Sequence, residues 1–334
     1  MTKNKDLNSA SHKNGYVVRD YNASESGIKM NELKVEHFMT KSPVIAHSNV
    51  NFPGGVDIMT ARGIGNLVVI ENGIPIGILT EREILRYLSS SGKIPTDKLL
   101  RDIELQPFCK VNPRCTVLEV AKKMITEKCR ILIFNERSDS GNQLDPRDGD
   151  DEFVGIITAS DMVRAFGKQT EKDPSLESVI SKTIEYVDIN DSIHTAINIM
   201  YDRNIGSVLV VEDIKKDTSV VDVDKRKRKL HGIFTERDLL TKVLSKDVSL
   251  NERVKDYCST EMLTADMDVR ATVAANIMLI SKIKRLPLVT EMATDTSHTE
   301  EPLTSSGIVI QKDDKHKISA IVTARDLVDS FQSN

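Results

Sequence analysis

Gly232-Ile233-Phe234-Thr235-Glu236-Arg237-Asp238 is an apolar run closed by a threonine, with an acid three residues further on. The chain carries this pattern four times. The other copies are Gly77-Ile78-Leu79-Thr80-Glu81-Arg82-Glu83, Gly155-Ile156-Ile157-Thr158-Ala159-Ser160-Asp161 and Ala320-Ile321-Val322-Thr323-Ala324-Arg325-Asp326. Successive copies start 78, 77 and 88 residues apart, so one structural unit has been duplicated and any site must be argued unit by unit.

A signal order recurs around each copy: a short apolar segment, a turn, an amphipathic helix, a strand, a loop, a second strand, then Thr and a second helix. The first helix aligns on Met59, Met124, Met200 and Met278; Ile64, Cys129, Ile205 and Ile283 follow five residues later, before β-rich runs. Ser192 and Asp191 are cap candidates ahead of Ile193, Ile197 and Met200, and Thr116 to Glu119 has capping-box form. Glu71-Asn72-Gly73 predicts a tight hairpin in unit one. Units two, three and four instead carry polar inserts at about 135–152, 212–230 and 291–317. The units are read as 33–92, 97–168, 175–247 and 250–333, behind a polar, flexible leader at 1–32. Units one and three share Thr-Glu-Arg; two and four share Thr-Ala. That alternation implies a two-unit module duplicated once, with a boundary near residue 172.

Composition narrows the function. Of 334 residues, 39% are hydrophobic and 29% charged, the balance of a soluble globular chain. No run approaches the roughly 18 apolar residues of a membrane helix, and Met1-Thr2-Lys3-Asn4-Lys5 opens no apolar signal core, so a cytoplasmic location is expected. The net charge of −4 gives no global attraction to nucleic acid or to an acidic membrane. Cys109, Cys115, Cys129 and Cys258 lack zinc-ligand spacing and are expected to be reduced thiols, and no metal site is expected.

Thr-x-x-acid supports two readings. As a helix cap it satisfies amides that the first turn leaves unpaired. As a site, the helix N-terminus favours an anion, Thr adds a donor, and the acid suits a vicinal diol. Phosphate at one end and ribose at the other would describe a nucleotide. The Gly at the head of three copies either eases backbone approach or fits tight packing.

The four Thr-x-x-acid copies, together with Ile283-Lys284-Arg285-Leu286-Pro287-Leu288 and Ile205 to Val210, resemble cystathionine-β-synthase (CBS) domains over about residues 33 to 332. The resemblance implies an α/β fold of tandem β-α-β-β-α CBS repeats paired into two Bateman modules, stacked as a disc. It also implies a non-catalytic regulatory protein whose clefts take AMP, ADP, ATP or another adenosyl ligand such as S-adenosylmethionine, with no required cofactor. Occupancy would pass to a protein partner, or to a second copy through disc stacking. In unit four, Thr323 and Asp326 match the phosphate and ribose positions, with Lys284 and Arg285 as the basic pair. Unit two offers Thr158, Asp161 and Arg130, with Ile131 where a second base would stand. Unit three keeps Thr235 and Asp238 but has Gly206 and Ser207 at the basic positions, so its phosphate needs charge from elsewhere. In unit one, Glu83, Gly65 and Asn66 favour the cap reading. The base of the unit four ligand is expected near Ser181 to Ile184.

Two charged runs compete for attention. Lys225-Arg226-Lys227-Arg228-Lys229 would serve the alternative function, a nucleic-acid-associated regulator, yet no aromatic residues are interleaved and a solvated loop is expected. Asp145 to Glu152 is acidic but lacks EF-hand spacing. No catalytic motif occurs, so an enzyme is not expected.

Overall fold

The computed structural model describes residues 32–135, 151–168, 176, 180, 184–213, 227–292, 309–313 and 315–329. Unit one comprises β1 (Thr40–Lys41), β2 (Ile45–His47), α1 (Phe52–Ala61), β3 (Asn66–Glu71), β4 (Ile74–Thr80) and α2 (Glu81–Ser91). Unit two comprises β5 (Phe108–Val111), α3 (Val117–Thr126), β6 (Arg130–Asn135), β7 (Glu152–Ile157) and α4 (Ala159–Phe166). Unit three holds β8 (Tyr186–Asp188), α5 (Ile193–Asp202), β9 (Ser207–Asp213), β10 (Lys227–Thr235) and α6 (Glu236–Asp238), which runs on into a π-helical turn at Leu239–Val243. Unit four holds β11 (Ala265–Asp266), α7 (Ala271–Ile280), β12 (Arg285–Glu291), β13 (Val309–Gln311), β14 (His316–Thr323) and α8 (Ala324–Asp329).

Local chemistry explains the recurrence. Asn51, Thr116 and Ser192 cap α1, α3 and α5 through their side chains. The five-residue step from Met to Ile is a helix stop: the amides of Ile64, Ile205 and Ile283 donate to the carbonyls of Met59, Met200 and Met278 at 2.9, 3.0 and 2.9 Å. Gly63, Asn204 and Lys282 supply the positive φ that closes this motif. The strand after it lies between a parallel neighbour, β2, β5, β8 or β11, and an antiparallel one, β4, β7, β10 or β14. Asn72 and Gly73, both at positive φ, make the β3–β4 hairpin.

Each antiparallel pair has a register shift that leaves Ile76, Val154, His231 or Ser319 extra, just before the residue that heads the repeated motif. The segment leading into the partner unit crosses there. A Cβ on Gly77 would lie 2.6 Å from Leu105 Cβ, on Gly155 2.9 Å from the Thr40 carbonyl, and on Gly232 2.6 Å from the Ser259 carbonyl. These glycines therefore serve packing.

Apolar faces assemble the units. Val68 and Ile78 pack on Leu132, Phe134 and Ile156, joining the sheets of units one and two. Leu209, Val211 and Ile233 pack on Val289, Ile318 and Ile321, joining three and four. Helices then stack unit one on three and unit two on four, each pair sharing one core. Lead-in segments seat on the module partner: Leu33, Val35 and Phe38 are buried with unit two, and β1 pairs with β7. Leu100 and Ile103 join unit one's core, and Leu250, Val254 and Cys258 join unit three's. The parallel pairing of β13 with β10 fuses units three and four into one seven-stranded sheet.

Two sequence expectations are corrected. Lys227, Arg228 and Lys229 are not solvated loop but part of β10, where Arg228 and Lys229 sit opposite Asp213 and Glu212; Lys225 and Arg226 lie outside the described residues. The Arg228 guanidinium lies over the Tyr186 ring, 4.6 Å from its centroid. Cys109 and Cys129 are joined in a disulfide rather than reduced, because parallel pairing of β5 with β6 brings their Cα atoms to 6.0 Å. Inserts 136–150, 214–226 and 293–308 lie outside the described residues, as do the leader and most of the acidic run. Among the described residues no helix is long and apolar enough to cross a membrane.

The disulfide closes a loop with a sequence separation of 20, worth about 3 kcal/mol. Reductant is expected to lower the melting temperature. Thiol titration of the denatured, unreduced chain should find only Cys115 and Cys258; reaction of all 4 cysteines would refute the pairing.

Candidate functional site

The Thr-x-x-acid motif forms a cap in every unit. Asp161, Asp238 and Asp326 each accept the amide of their threonine on Oδ2, at 2.8, 2.9 and 2.7 Å. Amides of Asp238 and Asp326 return to the hydroxyls of Thr235 and Thr323 at 3.1 and 3.2 Å. In unit one Thr80 Oγ1 donates to Glu83 Oε2, and the buried pair is a cap as expected. Capping uses one carboxylate oxygen, so the second decides what else the acid does.

That second oxygen differs among units. Asp161 Oδ1 is held by Arg164, which also donates to the Phe38 carbonyl at 2.7 Å. Asp238 Oδ1 accepts from Lys242 Nζ and Ser259 Oγ, both at 2.8 Å. Among the described residues, Asp326 Oδ1 has no partner, although Arg285 stands opposite Thr323 in the β12–β14 ladder. Burial pushes the Asp326 carboxyl above its ordinary value, and the charge of Asp329 adds to the shift. Burial likewise raises Asp161, against the hydrogen bonds from Thr158 and the charge of Arg164.

The basic residues converge where the four units meet. Lys284 Nζ lies 2.8 Å from Glu81 Oε2, and Arg285 Nη2 lies 2.6 Å from Glu236 Oε2. Unit four thus sends one cation to unit one and one to unit three. Gly65 and Gly206 make room for them: an added Cβ would lie 2.6 Å from Lys284 Nζ and 1.5 Å from Arg285 Nη2. Arg285 thus lies against Gly206, where unit three carries no basic residue of its own.

Thr-Glu-Arg, unassigned by sequence reasoning, holds the modules together. Arg82 of unit one donates to the carbonyls of Met200 and Ile205 at 3.1 and 2.7 Å, and to Asn204 Oδ1 at 2.6 Å. Arg237 of unit three returns the contact, donating to the Ile64 carbonyl at 3.2 Å and lying 3.0 Å from Glu81 Oε1. Each arginine caps a helix end of the opposite unit. The sharing of this tripeptide by units one and three was the available signal. Burial works against the charge of Glu81, but Lys284 and Arg237 win and hold its carboxyl below the usual value.

Arg130 starts β6 and faces the same centre, within the field of Glu83, Arg325, Glu236 and Glu81. Its Nε is sealed from solvent without a hydrogen-bond partner, and burial pulls the guanidinium down from its ordinary value. Lys284, Arg285 and Arg130 are therefore brought together; Thr158–Asp161 and Thr235–Asp238 are closed by their own neighbours. Of the expected base region, Ile184 is buried between the sheets, and 181–183 lie outside the described residues. Among the described residues, one three-ligand cluster suits a metal, Cys109, Glu127 and Cys129, and its sulfurs are spent in the disulfide.

Four β-α-β-β-α units in two sheet-paired modules, with capped acids around a cationic centre, define a tandem-repeat protein of Bateman type. A family model for the CBS domain matches residues 35–90, 100–168 and 176–245, more than half of the chain, and the chain belongs to that family. Uncharacterized protein MJ1404 of Methanocaldococcus jannaschii is 26% identical over 273 residues, 76% of this chain and 57% of that protein. Uncharacterized protein MK0525 of Methanopyrus kandleri is 33% identical over 107 residues, 32% of this chain and 48% of that one. The chain thus spans about half the length of these relatives. The crystal structure of MJ1225 from M. jannaschii, described as a proposed archaeal homologue of g-AMPK, is similar in fold at a TM-score of 0.61 and 15% identity. The match covers 90% of this chain and 100% of that one.

Replacing Gly206 with Ala should destabilise the protein by about 1–3 kcal/mol through displacement of Arg285. In an Arg285→Ala background most of that penalty should vanish; an undiminished penalty in this double-mutant cycle would place the strain elsewhere. Glu81, depressed in the fold, contributes stability above its unfolded value near pH 4.3 and loses it as pH falls through the lower folded value. The stability gap between wild type and Glu81→Gln should therefore be flat above about pH 5 and shrink below it, as read by denaturant melts.

Proposed function

We propose that this chain is a non-catalytic, cytoplasmic regulator that binds AMP, ADP, ATP or another adenosyl ligand, such as S-adenosylmethionine, in clefts between CBS units. Unit four supplies the principal site. The observation that carries the reading is Asp326: one oxygen caps α8, the other is unclaimed among the described residues, and Lys284, Arg285 and Arg130 gather at the unit junction. The free oxygen suits a ribose diol and the cations suit phosphates. Units two and three are secondary sites, since Arg164 or Lys242 must first release Asp161 or Asp238. Unit one keeps its acid in a buried cap.

Transmission to a protein partner, or to a second copy stacked on the disc, follows from differential affinity. A ligand bridging units favours one relative orientation, with a coupling of about 1–3 kcal/mol. Calorimetry with AMP, ADP, ATP and S-adenosylmethionine tests the assignment. Asp326→Ala should lose affinity by about tenfold or more, whereas Asp238→Ala should lose less. Equal affinity of wild type and Asp326→Ala for every ligand would refute it.

A further inference from the structure

The junction of the four units holds more positive than negative charge. Arg82, Arg130, Arg237, Lys284, Arg285 and Arg325 act on one another and on the carboxylates of Glu81, Glu83 and Glu236. The chain as a whole is net negative, so this excess is local. Its distribution is uneven. Lys284 and Arg285 are already engaged by Glu81 and Glu236, at 2.8 and 2.6 Å, whereas Arg130 has no ion-pair or side-chain hydrogen-bond partner among the described residues.

From this we infer that Glu81 and Glu236 are internal competitors for the phosphate-binding cations, and that they set how many phosphates a ligand must carry to engage the centre. The inference rests on the nucleotide reading above and deepens it. A single phosphate is met by Arg130 without disturbing either ion pair. A di- or triphosphate reaches further and takes Lys284 from Glu81 and Arg285 from Glu236. Charge-assisted pairs to phosphate oxygens replace pairs to carboxylate, so cation coordination is conserved while the displaced acids lose theirs. Each carboxylate therefore subtracts from polyphosphate affinity and leaves adenosine affinity untouched.

The exchange also has a mechanical consequence. Lys284 belongs to unit four and Glu81 to unit one, which lie in different modules, and Arg285 ties unit four to Glu236 of its own module partner. A polyphosphate that captures both cations releases both ties at once. Arg237 stays on Glu81 and Arg82 on the α5 carbonyls, so units one and three remain joined while unit four keeps its sheet and apolar contacts and loses only its polar ties to the centre.

The test is calorimetry on the full chain with adenosine, AMP, ATP and inorganic triphosphate, using wild type, Glu81→Gln/Glu236→Gln and Lys284→Gln/Arg285→Gln. The double glutamine variant at the acids should bind ATP and inorganic triphosphate about tenfold more tightly than wild type, with adenosine unchanged. The variant at the cations should lose ATP and triphosphate while keeping adenosine. Equal or weaker triphosphate binding by a folded Glu81→Gln/Glu236→Gln protein would overturn the inference. If that double variant does not fold, each single Glu→Gln variant should show a smaller gain of the same sign, and a loss in both would be equally decisive. Tighter triphosphate binding with no adenosine, AMP or ATP bound by any variant would uphold the competition and defeat the adenosyl reading.

Discussion

The structure turns on a reciprocal exchange of charge between units one and three. Arg82 crosses to the end of α5, taking the Ile205 carbonyl and sharing that of Met200 with the Ile205 amide, and Arg237 crosses back to the Ile64 carbonyl just past α1. Glu81 and Glu236, one residue earlier, then lie at the centre with nowhere to find water. Buried carboxylates are tolerable only with cations in close geometry. Unit four provides them with Lys284 and Arg285, at the positions held by Gly65-Asn66 in unit one and Gly206-Ser207 in unit three, and the side chains lie over the two glycines. The two halves of the duplication differ here because the four units share one centre, where the buried carboxylates of units one and three meet the cations of unit four. Units two and four make their contact differently, through Ala165, Phe166, Ala271, Ala274 and Leu327 in a single apolar core.

That division explains why the repeats alternate. A unit stacked on its counterpart through arginine carries Thr-Glu-Arg; those stacked through apolar helices carry Thr-Ala at the start of α4 and α8, and in unit four the arginine that follows, Arg325, is exposed. Sheet pairing within a module imposes a second demand, since each lead-in segment crosses the partner's bulge. Gly77, Gly155 and Gly232 answer it by omitting a side chain at the point of closest approach.

Features set within about ten residues were legible in the sequence. The caps at Thr116 and Ser192, the Asn72-Gly73 hairpin and the Met-to-Ile helix stops each follow from local hydrogen bonding. What could not be read depended on partners far along the chain. Leu33 to Phe38 belong to unit two's core because of where β7 lies, which no local pattern encodes. The Cys109–Cys129 bridge needed the register of β5 on β6. At the candidate site, the unit four residues were identifiable as types, but their engagement by Glu81 and Glu236 spans up to 203 positions. The two glycines that looked like missing cations are the space those cations occupy.

The aspartates of units two, three and four are alike as caps and differ in their second oxygen. A carboxylate at the third position of a helix satisfies the cap with a single oxygen, and the other points away from the helix start. In unit three Lys242, on the π-helical turn that follows α6, reaches back to that oxygen, and Ser259 from the lead-in of unit four completes its coordination. The four-residue spacing of Asp238 and Lys242 puts both side chains on one face of the turn, so the ammonium lies over the carboxylate. Unit four has Ser330 rather than a base at the matching position, and burial, with the charge of Asp329, raises the Asp326 carboxyl against the hydrogen bonds from Thr323 and the charge of Arg325. An acid held in that state gains most from a partner that donates two hydrogen bonds. The same constraint makes every copy a cap, and among the described residues only the second oxygen of Asp161 and of Asp238 is taken up by a neighbouring base, while that of Asp326 is not.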